Sequence, residues 1–196
     1  MIEYIKGQIV ELTPTELILE CGGIGYSILI SLQTYEAFQS ASQATVYIHH
    51  YLKEDEELYY GFATKDEREL FRLLISVSGI GVASARMMLS SLTSEEIRQA
   101  ILAEDVNKLK SVKGIGLKSA QRMVLELKDK VLKGEGTEES ALFAKADSSA
   151  TVEEATTALT MLGFSRANIS KVMPAILKEN PAAKVEDIIK AALKRL

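Results

Sequence analysis

The sequence predicts a multi-domain α+β protein that consists of a small β-barrel, a helical middle domain and a C-terminal three-helix module. Apolar residues alternate with a period of two over residues 1–62 and recur every three to four residues from Lys65 onward. Charge is also uneven: residues 1–62 contain 2 Lys/Arg and 9 Asp/Glu, whereas residues 63–133 contain 13 and 9. Such asymmetry indicates separate modules, and the basic middle segment is the best candidate to bind an anionic partner.

Residues 1–62 are predicted to form the barrel. Apolar and polar positions alternate in three segments, which contain Leu17, Leu19 and Cys21, then Tyr26, Ile28 and Ile30, and then Val46 and Ile48. Breaks at Pro14 and at residues 22–25 mark the turns between strands. Five or six short strands in about 60 residues favour an OB-like barrel over an open sheet, because closure leaves no edge strands. The alternation also predicts that Cys21 is a buried structural thiol.

The composition is typical of a soluble globular protein, with 47% hydrophobic and 26% charged residues. No apolar run approaches the roughly 20 residues that span a bilayer, and the N-terminus lacks the basic and apolar regions of a signal peptide. The single cysteine cannot form an internal disulfide, which fits a reducing compartment. We therefore expect a cytoplasmic protein with no membrane partner.

The middle segment, residues 63–133, contains an internal repeat. Val77-Ser78-Gly79-Ile80-Gly81 returns 35 residues later as Val112-Lys113-Gly114-Ile115-Gly116. In each copy a tight turn joins two helices: its glycines allow backbone angles that other residues resist, and its isoleucine is expected to anchor the turn. The start of the second helix exposes backbone N–H groups, which can bind a phosphate without reading the base. The repeat therefore predicts a tandem helix-hairpin-helix domain that binds DNA.

Four side chains near the turns are candidate phosphate ligands. Lys118 and Arg122 lie four residues apart on the outgoing helix of the second copy and so share a face. Ser84 and Arg86 occupy the outgoing helix of the first copy. The alternative is that each Gly-Ile-Gly is only a connection between helices. Two copies with shared flanking residues, in the only strongly basic segment, favour DNA binding.

Residues 134–150 lose periodicity and are rich in Gly, Ser, Glu and Ala, which predicts a flexible linker. Residues 151–196 are predicted to form three helices near 152–162, 165–178 and 185–196. Capping boxes are predicted at two helix starts, Thr93-Ser94-Glu95-Glu96 and Thr151-Val152-Glu153-Glu154.

Leu159, Leu162 and Phe164 of the C-terminal module resemble the turn of ubiquitin-associated (UBA-like) three-helix modules. Most of these side chains are expected in the core. A bundle of this size has little interior, so some apolar surface is expected to remain for a partner, and Leu159, Leu162 and Phe164 are the candidate partner-binding residues.

The order of barrel, paired hairpins, acidic linker and helical tail resembles the RuvA family of Holliday junction branch-migration proteins over essentially the whole chain. Further matching segments are Gly22-Gly23-Ile24-Gly25-Tyr26, Glu54-Asp55 ahead of Leu58-Tyr59-Tyr60-Gly61-Phe62, Glu67-Arg68, Leu70-Phe71 and Leu162-Gly163-Phe164. The resemblance implies a non-catalytic scaffold, without a cofactor, that holds a four-way junction open in DNA recombination and repair. It also implies a homotetramer, and it leaves open whether one or two tetramers enclose the junction.

The resemblance further implies that Glu54 and Asp55 form an acidic pin near the strand crossover. The C-terminal module would recruit the hexameric ATPase RuvB, and the nuclease RuvC would act on the same junction. Family members often carry a lysine shortly after the second glycine of both hairpins, whereas this chain has Val82-Ala83-Ser84 in the first and Lys118 in the second. The first hairpin is therefore expected to bind through amides and Ser84, with weaker electrostatic support.

Two alternatives to a pin exist for the acidic run Glu54-Asp55-Glu56-Glu57: a solvated loop and the magnesium site of a structure-selective nuclease. A metal site needs carboxylates from several elements, and consecutive residues of a hairpin loop mostly point apart. His49 and His50 face opposite ways as strand neighbours, so they are predicted to be structural. No catalytic residue, metal site or Walker-type loop is predicted. A general duplex-binding protein with the same hairpins remains a further alternative.

Overall fold

A computed structural model describes residues 2–134, 148–180 and 183–196. The chain divides into two compact units, Met1–Thr137 and Glu138–Leu196. Most of the predicted linker 134–150 lies outside the described residues; Gly134 ends a helix of the first unit, and residues 148–150 begin a helix of the second. Within the described ranges, no helix is both long enough and apolar enough to cross a membrane.

The first unit begins with the closed five-stranded barrel that the sequence predicts. Its strands are β1 (Tyr4–Leu12), β2 (Glu16–Cys21), β3 (Ile24–Ile30), β4 (Gln43–Leu52) and β5 (Glu57–Phe62), in the spatial order β1-β2-β3-β5-β4. A parallel pairing of β3 with β5 closes the barrel, and the other pairings are antiparallel. Gly61 lies at this closure, where a β-carbon would lie 2.4 Å from Ile28 Cγ2 and 2.6 Å from Val46 Cγ1. Only glycine therefore fits there without displacing the barrel core.

The apolar side chains of the predicted alternation fill the barrel interior, with the exception of Cys21. The fully buried core side chains of the strands include Leu17, Leu19, Ile28, Ile30, Val46 and Ile48. Cys21, however, is exposed, so the prediction of a buried thiol was wrong. It pairs with Ile24 across the two-residue turn Gly22-Gly23, whose φ angles are 60° and 80°. The exposure of Ile24 as well as Cys21 shows that the hairpin extends beyond the barrel interior there.

Helices form the rest of the first unit. Helix α1 (Leu32–Phe38) lies between β3 and β4, and five helices follow the barrel: α2 (Lys65–Ile75), α3 (Val82–Ser91), α4 (Ser94–Leu102), α5 (Val106–Lys110) and α6 (Leu117–Gly134). The predicted capping box at Thr93 is confirmed: its side chain accepts from Glu96 N, and the Glu96 carboxylate accepts from Thr93 N.

The barrel and the helices share buried contacts. Phe71 of α2 packs against Phe62 and Tyr60 of β5, with ring centroids 4.9 and 5.3 Å apart. Buried Arg68 donates to Glu3 O at 2.9 Å and pairs with the Glu3 carboxylate. Gln33 of α1 donates to Leu89 O at the end of α3, at 2.7 Å. These contacts fix the barrel against the helices that carry the hairpins.

The second unit contains α7 (Ser148–Met161), α8 (Arg166–Glu179) and α9 (Val185–Leu193), which pack around their own apolar core. The three-helix prediction is thus confirmed, but the capping box at Thr151 was wrong. Helix α7 begins at Ser148, three residues earlier, so Thr151 lies inside the helix.

Candidate nucleic-acid interface

The two Gly-Ile-Gly turns have the same geometry. Gly79 joins α2 to α3 and Gly114 joins α5 to α6, and each has a φ of 90°. Ile80 and Ile115 are both only 5% exposed. Their N–H groups donate to Val77 O and to Val112 O respectively, each at 3.1 Å. The sequence repeat is therefore a structural repeat, with the isoleucine as the buried anchor and the glycine in the left-handed region that favours it.

The second glycine of each turn opens the start of the outgoing helix to solvent. Gly81 is the N-cap of α3 (φ −89°, ψ 170°) and has no side chain to accept from the first-turn amides. Its carbonyl accepts from Ala85 N at 3.0 Å, and Gly116 O accepts from Ala120 N at the same distance. A β-carbon on either glycine would have no described atom within 4 Å. Both helix starts thus offer amides that a phosphate oxygen can reach.

The two hairpins pack against each other reciprocally. A β-carbon at Gly79 would lie 3.5 Å from Ser119 Oγ, and one at Gly114 would lie 3.9 Å from Ser84 Oγ. Since Gly114 and Ser119 are the repeat counterparts of Gly79 and Ser84, the copies are related by an approximate two-fold axis between the turns. Ser84 is half-buried beside the opposite turn.

The cationic side chains are arranged unequally around the turns. Lys113 and Lys118 are exposed at the second turn and at the start of α6. Arg122, also on α6, reaches across to the first turn, where its Nη1 donates to Ser78 Oγ at 3.1 Å and to Ser78 O at 3.4 Å. Arg86 turns the other way: its Nη1 donates to Thr15 O, in the β1–β2 turn of the barrel, at 3.2 Å. The structure therefore brings Arg86 to the barrel.

The predicted acidic pin lies at the tip of the hairpin between β4 and β5. Lys53 N donates to Glu56 O at 2.8 Å, so Glu54 and Asp55 occupy the two central positions of the turn, and both are exposed. Lys53 Nζ lies 3.9 Å from Glu56 Oε2. The lysine that precedes the acidic run thus partly offsets its charge.

Glu57 has a separate role at the base of this hairpin, which sequence reasoning missed. Its carboxylate accepts from Tyr59 OH at 2.7 Å and lies 2.9 Å from His50 Nε2. The hydrogen bond from Tyr59 has the larger effect and that from His50 the smaller, and together they hold the pKa of Glu57 below its usual value. His50 also stacks on the Tyr59 ring, opposite it in the ladder, at a centroid distance of 5.0 Å. The cross-strand pairing of β4 with β5 was the signal that could have linked them.

The acidic residues do not converge on a common point. Glu56 and Glu57 contact different partners, and Glu54 and Asp55 point into solvent. Among the described residues, no group of three or more His, Cys, Asp or Glu side chains is placed to hold a metal ion. His49 packs on Phe71 with centroids 5.3 Å apart, and burial is the main cause of its lowered pKa. The two histidines therefore contact different faces of β4.

The second unit exposes apolar side chains where α7 ends. Met161 is 86% and Leu162 60% exposed, next to Gly163, whose φ is 98°. Phe164 is half-buried against the core of the unit, and Leu159 is completely buried. Leu159 is therefore a core residue and cannot present its side chain to a partner, which corrects its assignment to a partner-binding surface. Met161 was missed, although it follows Leu159 by two residues and therefore lies on the opposite side of α7 from the core.

Comparisons with known proteins match the whole architecture. The family described as RuvA N terminal domain matches residues 1–61, that described as SAM-like Helix-hairpin-helix tandem matches residues 71–129, and that described as RuvA, C-terminal domain matches residues 150–196. The chain is 53% identical over 196 residues to the Holliday junction branch migration complex subunit RuvA of Christiangramia forsetii. Identity to the proteins of the same name from Bacteroides fragilis and Porphyromonas gingivalis is 52% and 46%, each over 202 residues. Each match covers 100% of both chains, and the chain therefore belongs to the RuvA family.

Proposed function

We propose that this chain is the non-catalytic DNA-binding subunit of a Holliday junction branch migration complex in DNA recombination and repair. The names of its relatives support the complex and its substrate. The structural observation that carries the proposal is the pair of reciprocally packed hairpins, each with a left-handed glycine and an open helix start. Both features serve phosphate binding, and neither reads a base.

The approximate two-fold axis between the hairpins suits a duplex arm. The two backbones of B-form DNA are themselves related by two-fold axes, so each hairpin can hold a phosphate of a different strand. Backbone amides make the contacts at both helix starts, and Lys113 and Lys118 add charge at the second. Binding of this kind is independent of sequence, as a junction that moves along DNA requires.

Glu54 and Asp55 are proposed to act as the pin at the crossover. They are the exposed tip of a stiff hairpin, and a phosphate close to two carboxylates is repelled. In a homotetramer with fourfold symmetry, four such tips would gather near the axis, where strands exchange. The repulsion would direct strands away from the centre and into separate arms.

The second unit is proposed to recruit a hexameric ATPase of the RuvB type through the exposed patch of Met161 and Leu162. A junction nuclease of the RuvC type would act on the same assembly, and the site of action would be the cytoplasm. The proposed division of labour follows the predicted domains: barrel 1–62, hairpins 63–133, linker 134–150 and motor-binding module 151–196.

The decisive experiment compares the affinity of the chain for an immobile four-way junction with its affinity for linear duplex of the same sequence, at several salt concentrations. We expect clear preference for the junction and a log-affinity that falls linearly with log salt, by about 0.9 per phosphate contact on duplex. Equal affinity for both DNAs would favour a general duplex-binding protein. The same samples with magnesium should show no cleavage; cleavage would favour the nuclease.

A further inference from the structure

We propose that Arg122, which belongs to the second hairpin by chain order, supplies the positive charge for the phosphate bound by the first hairpin. The inference rests on the proposed function in one respect, namely that a duplex arm occupies both hairpins. It assigns to the first hairpin a cation that its own repeat copy does not provide.

The cationic side chains of the first copy all contact the barrel. Helices α2 and α3 contain four Lys or Arg residues. Their contacts are Lys65 with the Tyr47 ring, Arg68 with Glu3, Arg72 with Ile48 O and Arg86 with Thr15 O. The charge of the first copy is therefore used to hold the barrel, and its turn would rely on amides alone.

Arg122 lies where the missing charge is needed. Ser78, to which it donates, immediately precedes the left-handed Gly79 of the first turn. Both hydrogen bonds come from Nη1, so the Nε and Nη2 donors of the guanidinium remain for a phosphate oxygen. The contact to Ser78 holds the long side chain beside the first turn, which lowers the entropic cost of binding DNA.

The repeat shows that the two turns obtain their charge by different routes. The counterpart of Ser78 in the second copy is Lys113, and the counterpart of Arg122 in the first is Met87. The second turn thus has a lysine where the first has a serine, and α6 has an arginine where α3 has a methionine. The second turn therefore has lysines of its own copy beside it, whereas the cation beside the first turn comes from the other copy.

A scan of neutral phosphates tests this assignment. Methylphosphonates are placed singly along both strands of one arm of an immobile four-way junction, whose crossover fixes the register, and the affinity of full-length protein is measured. For the wild-type chain we expect roughly a tenfold loss at a few phosphates on each strand, the size of a lost charge-assisted hydrogen bond. Because backbone amides remain at both helix starts, Arg122→Ala should reduce this sensitivity on one strand and Lys118→Ala should reduce it on the other. Lys130→Ala, which removes an exposed lysine about two turns beyond Arg122 on α6, should preserve both.

Three results separate the possibilities. If Arg122→Ala and Lys118→Ala reduce sensitivity at the same phosphates, Arg122 serves the second hairpin and the inference is wrong; an Arg122→Ala protein with an unchanged scan also overturns it. If the wild-type chain shows no junction binding at all, the proposed function fails instead. Ser78→Lys in the Arg122→Ala background creates the arrangement of the second turn, and it should restore the lost sensitivity. No recovery would contradict the equivalence of the two routes.

Discussion

At Gly81, helix stability and DNA binding make opposite demands. A helix start is most stable when a Ser, Thr, Asp or Asn side chain accepts from the first-turn amides. Ser31, Thr64, Thr93, Asp105 and Ser165 do so at other helices of this chain. Gly81 leaves the corresponding amides of α3 without a side-chain partner. Helix α9 also begins without a side-chain cap, at Lys184, but of these two helix starts only that of α3 lies at a hairpin turn where the proposed function needs free amides.

We therefore predict that Gly81→Ser raises stability and weakens DNA binding. The φ and ψ of Gly81 already suit a serine N-cap, and its side chain would have open space among the described atoms. The free energy of unfolding should rise by roughly a few tenths of a kcal/mol, since the hydroxyl would cap the helix. Junction affinity should fall about tenfold, because the hydroxyl competes with the phosphate for the same amide. Urea denaturation and gel shifts measure the two effects.

Gly25→Ser is the matched control, because it makes the same chemical change on strand β3, where a β-carbon meets only Ile18 at 3.8 Å. It should leave junction affinity unchanged. A Gly81→Ser protein that binds as tightly as the wild type would show that amides at this helix start do not contact DNA.

Individual residues were the least predictable level of the structure. Cys21 follows the strand alternation, but it lies where the hairpin extends beyond the barrel. Periodicity alone does not show which residues at the end of a strand are still buried. Arg86 follows the first hairpin in sequence, yet a barrel carbonyl attracts its guanidinium. Leu159 matches a surface motif but fills the core of its unit. For Arg86 and Leu159, contacts with residues distant in sequence decided the outcome.

At the scale of elements, the polar contact region where α1 and α2 meet the end of the barrel contains a buried carboxylate. Glu67 accepts from Thr34 Oγ1 at 2.8 Å, from Ala63 N at 3.3 Å and from the Ser31 hydroxyl. Burial is the largest influence on it and raises the pKa of Glu67, which the hydroxyl hydrogen bonds oppose in part. The Glu67 carboxyl is thus well hydrogen-bonded, but its burial makes loss of its proton less favourable than in water.

The raised pKa predicts a pH-dependent stability that Glu67→Gln should remove. As the pH rises from the unfolded pKa, near 4.3, the unfolded chain loses this proton before the folded protein does, which lowers the free energy of unfolding. The loss is complete above the folded pKa. Glutamine has no proton to lose, so its stability relative to wild type should increase with pH across this window. Other carboxyl groups are common to both proteins and cancel in the difference.

Urea denaturation of both proteins between pH 4 and pH 8 measures this difference. A constant difference over the whole range would show that the carboxyl of Glu67 ionises equally easily in the folded and unfolded states. If the Glu67→Gln protein instead becomes less stable relative to wild type as pH rises, the hydrogen bonds lower the pKa of Glu67 by more than burial raises it.

Periodic elements were predictable and short inserted ones were not. The barrel strands, the paired hairpins and the capping box at Thr93 were predictable because apolar periodicity, turn glycines and cap residues are local features of the sequence. Helix α1 was missed: it has seven residues, and contacts of Gln33 with the ends of α3 and α4 hold it in place. Thr151 matches a capping box, but the preceding residues already form helix.

For the whole molecule, two units with separate cores predict separable functions. A chain that ends at Asp147 should unfold with the same cooperativity as the first unit of the full-length protein and bind junctions with equal affinity. It should fail to recruit a RuvB-type ATPase, so branch migration should be lost. Unimpaired migration by the shortened chain would contradict the proposed role of the second unit.

A single surface substitution in the full-length chain tests whether the exposed end of α7 contacts the ATPase directly. Leu162→Ser should reduce ATPase binding about tenfold or more, as the loss of an exposed apolar anchor does. Leu193→Ser is the matched control, since Leu193 is another exposed leucine of the same unit. Equal effects of the two changes would show that the end of α7 is not the contact.

The acidic tip requires an argument at the scale of the assembly. A surface that meets DNA is expected to lack carboxylates, because each one near a phosphate costs Coulomb energy. Glu54 and Asp55 nevertheless form the exposed end of a hairpin braced by the His50, Tyr59 and Glu57 contacts. The barrel that carries them is fixed to the hairpin domain through Arg68 and Phe71. Their position relative to bound phosphates is therefore set by the fold.

If this tip lies at the crossover, removal of its charge should change the preference for junction over duplex DNA and leave the stability of the fold largely unchanged. Glu54→Gln with Asp55→Asn should tighten binding to linear duplex, because a repulsion disappears, and the ratio of junction affinity to duplex affinity should fall. Glu20→Gln with Glu36→Gln removes two exposed carboxylates elsewhere in the first unit, so it controls for net charge and should leave that ratio unchanged. The ratio is measured at fixed salt, since screening weakens both affinities. If the ratio and the duplex affinity match the wild type in both double variants, these carboxylates are only a solvated turn.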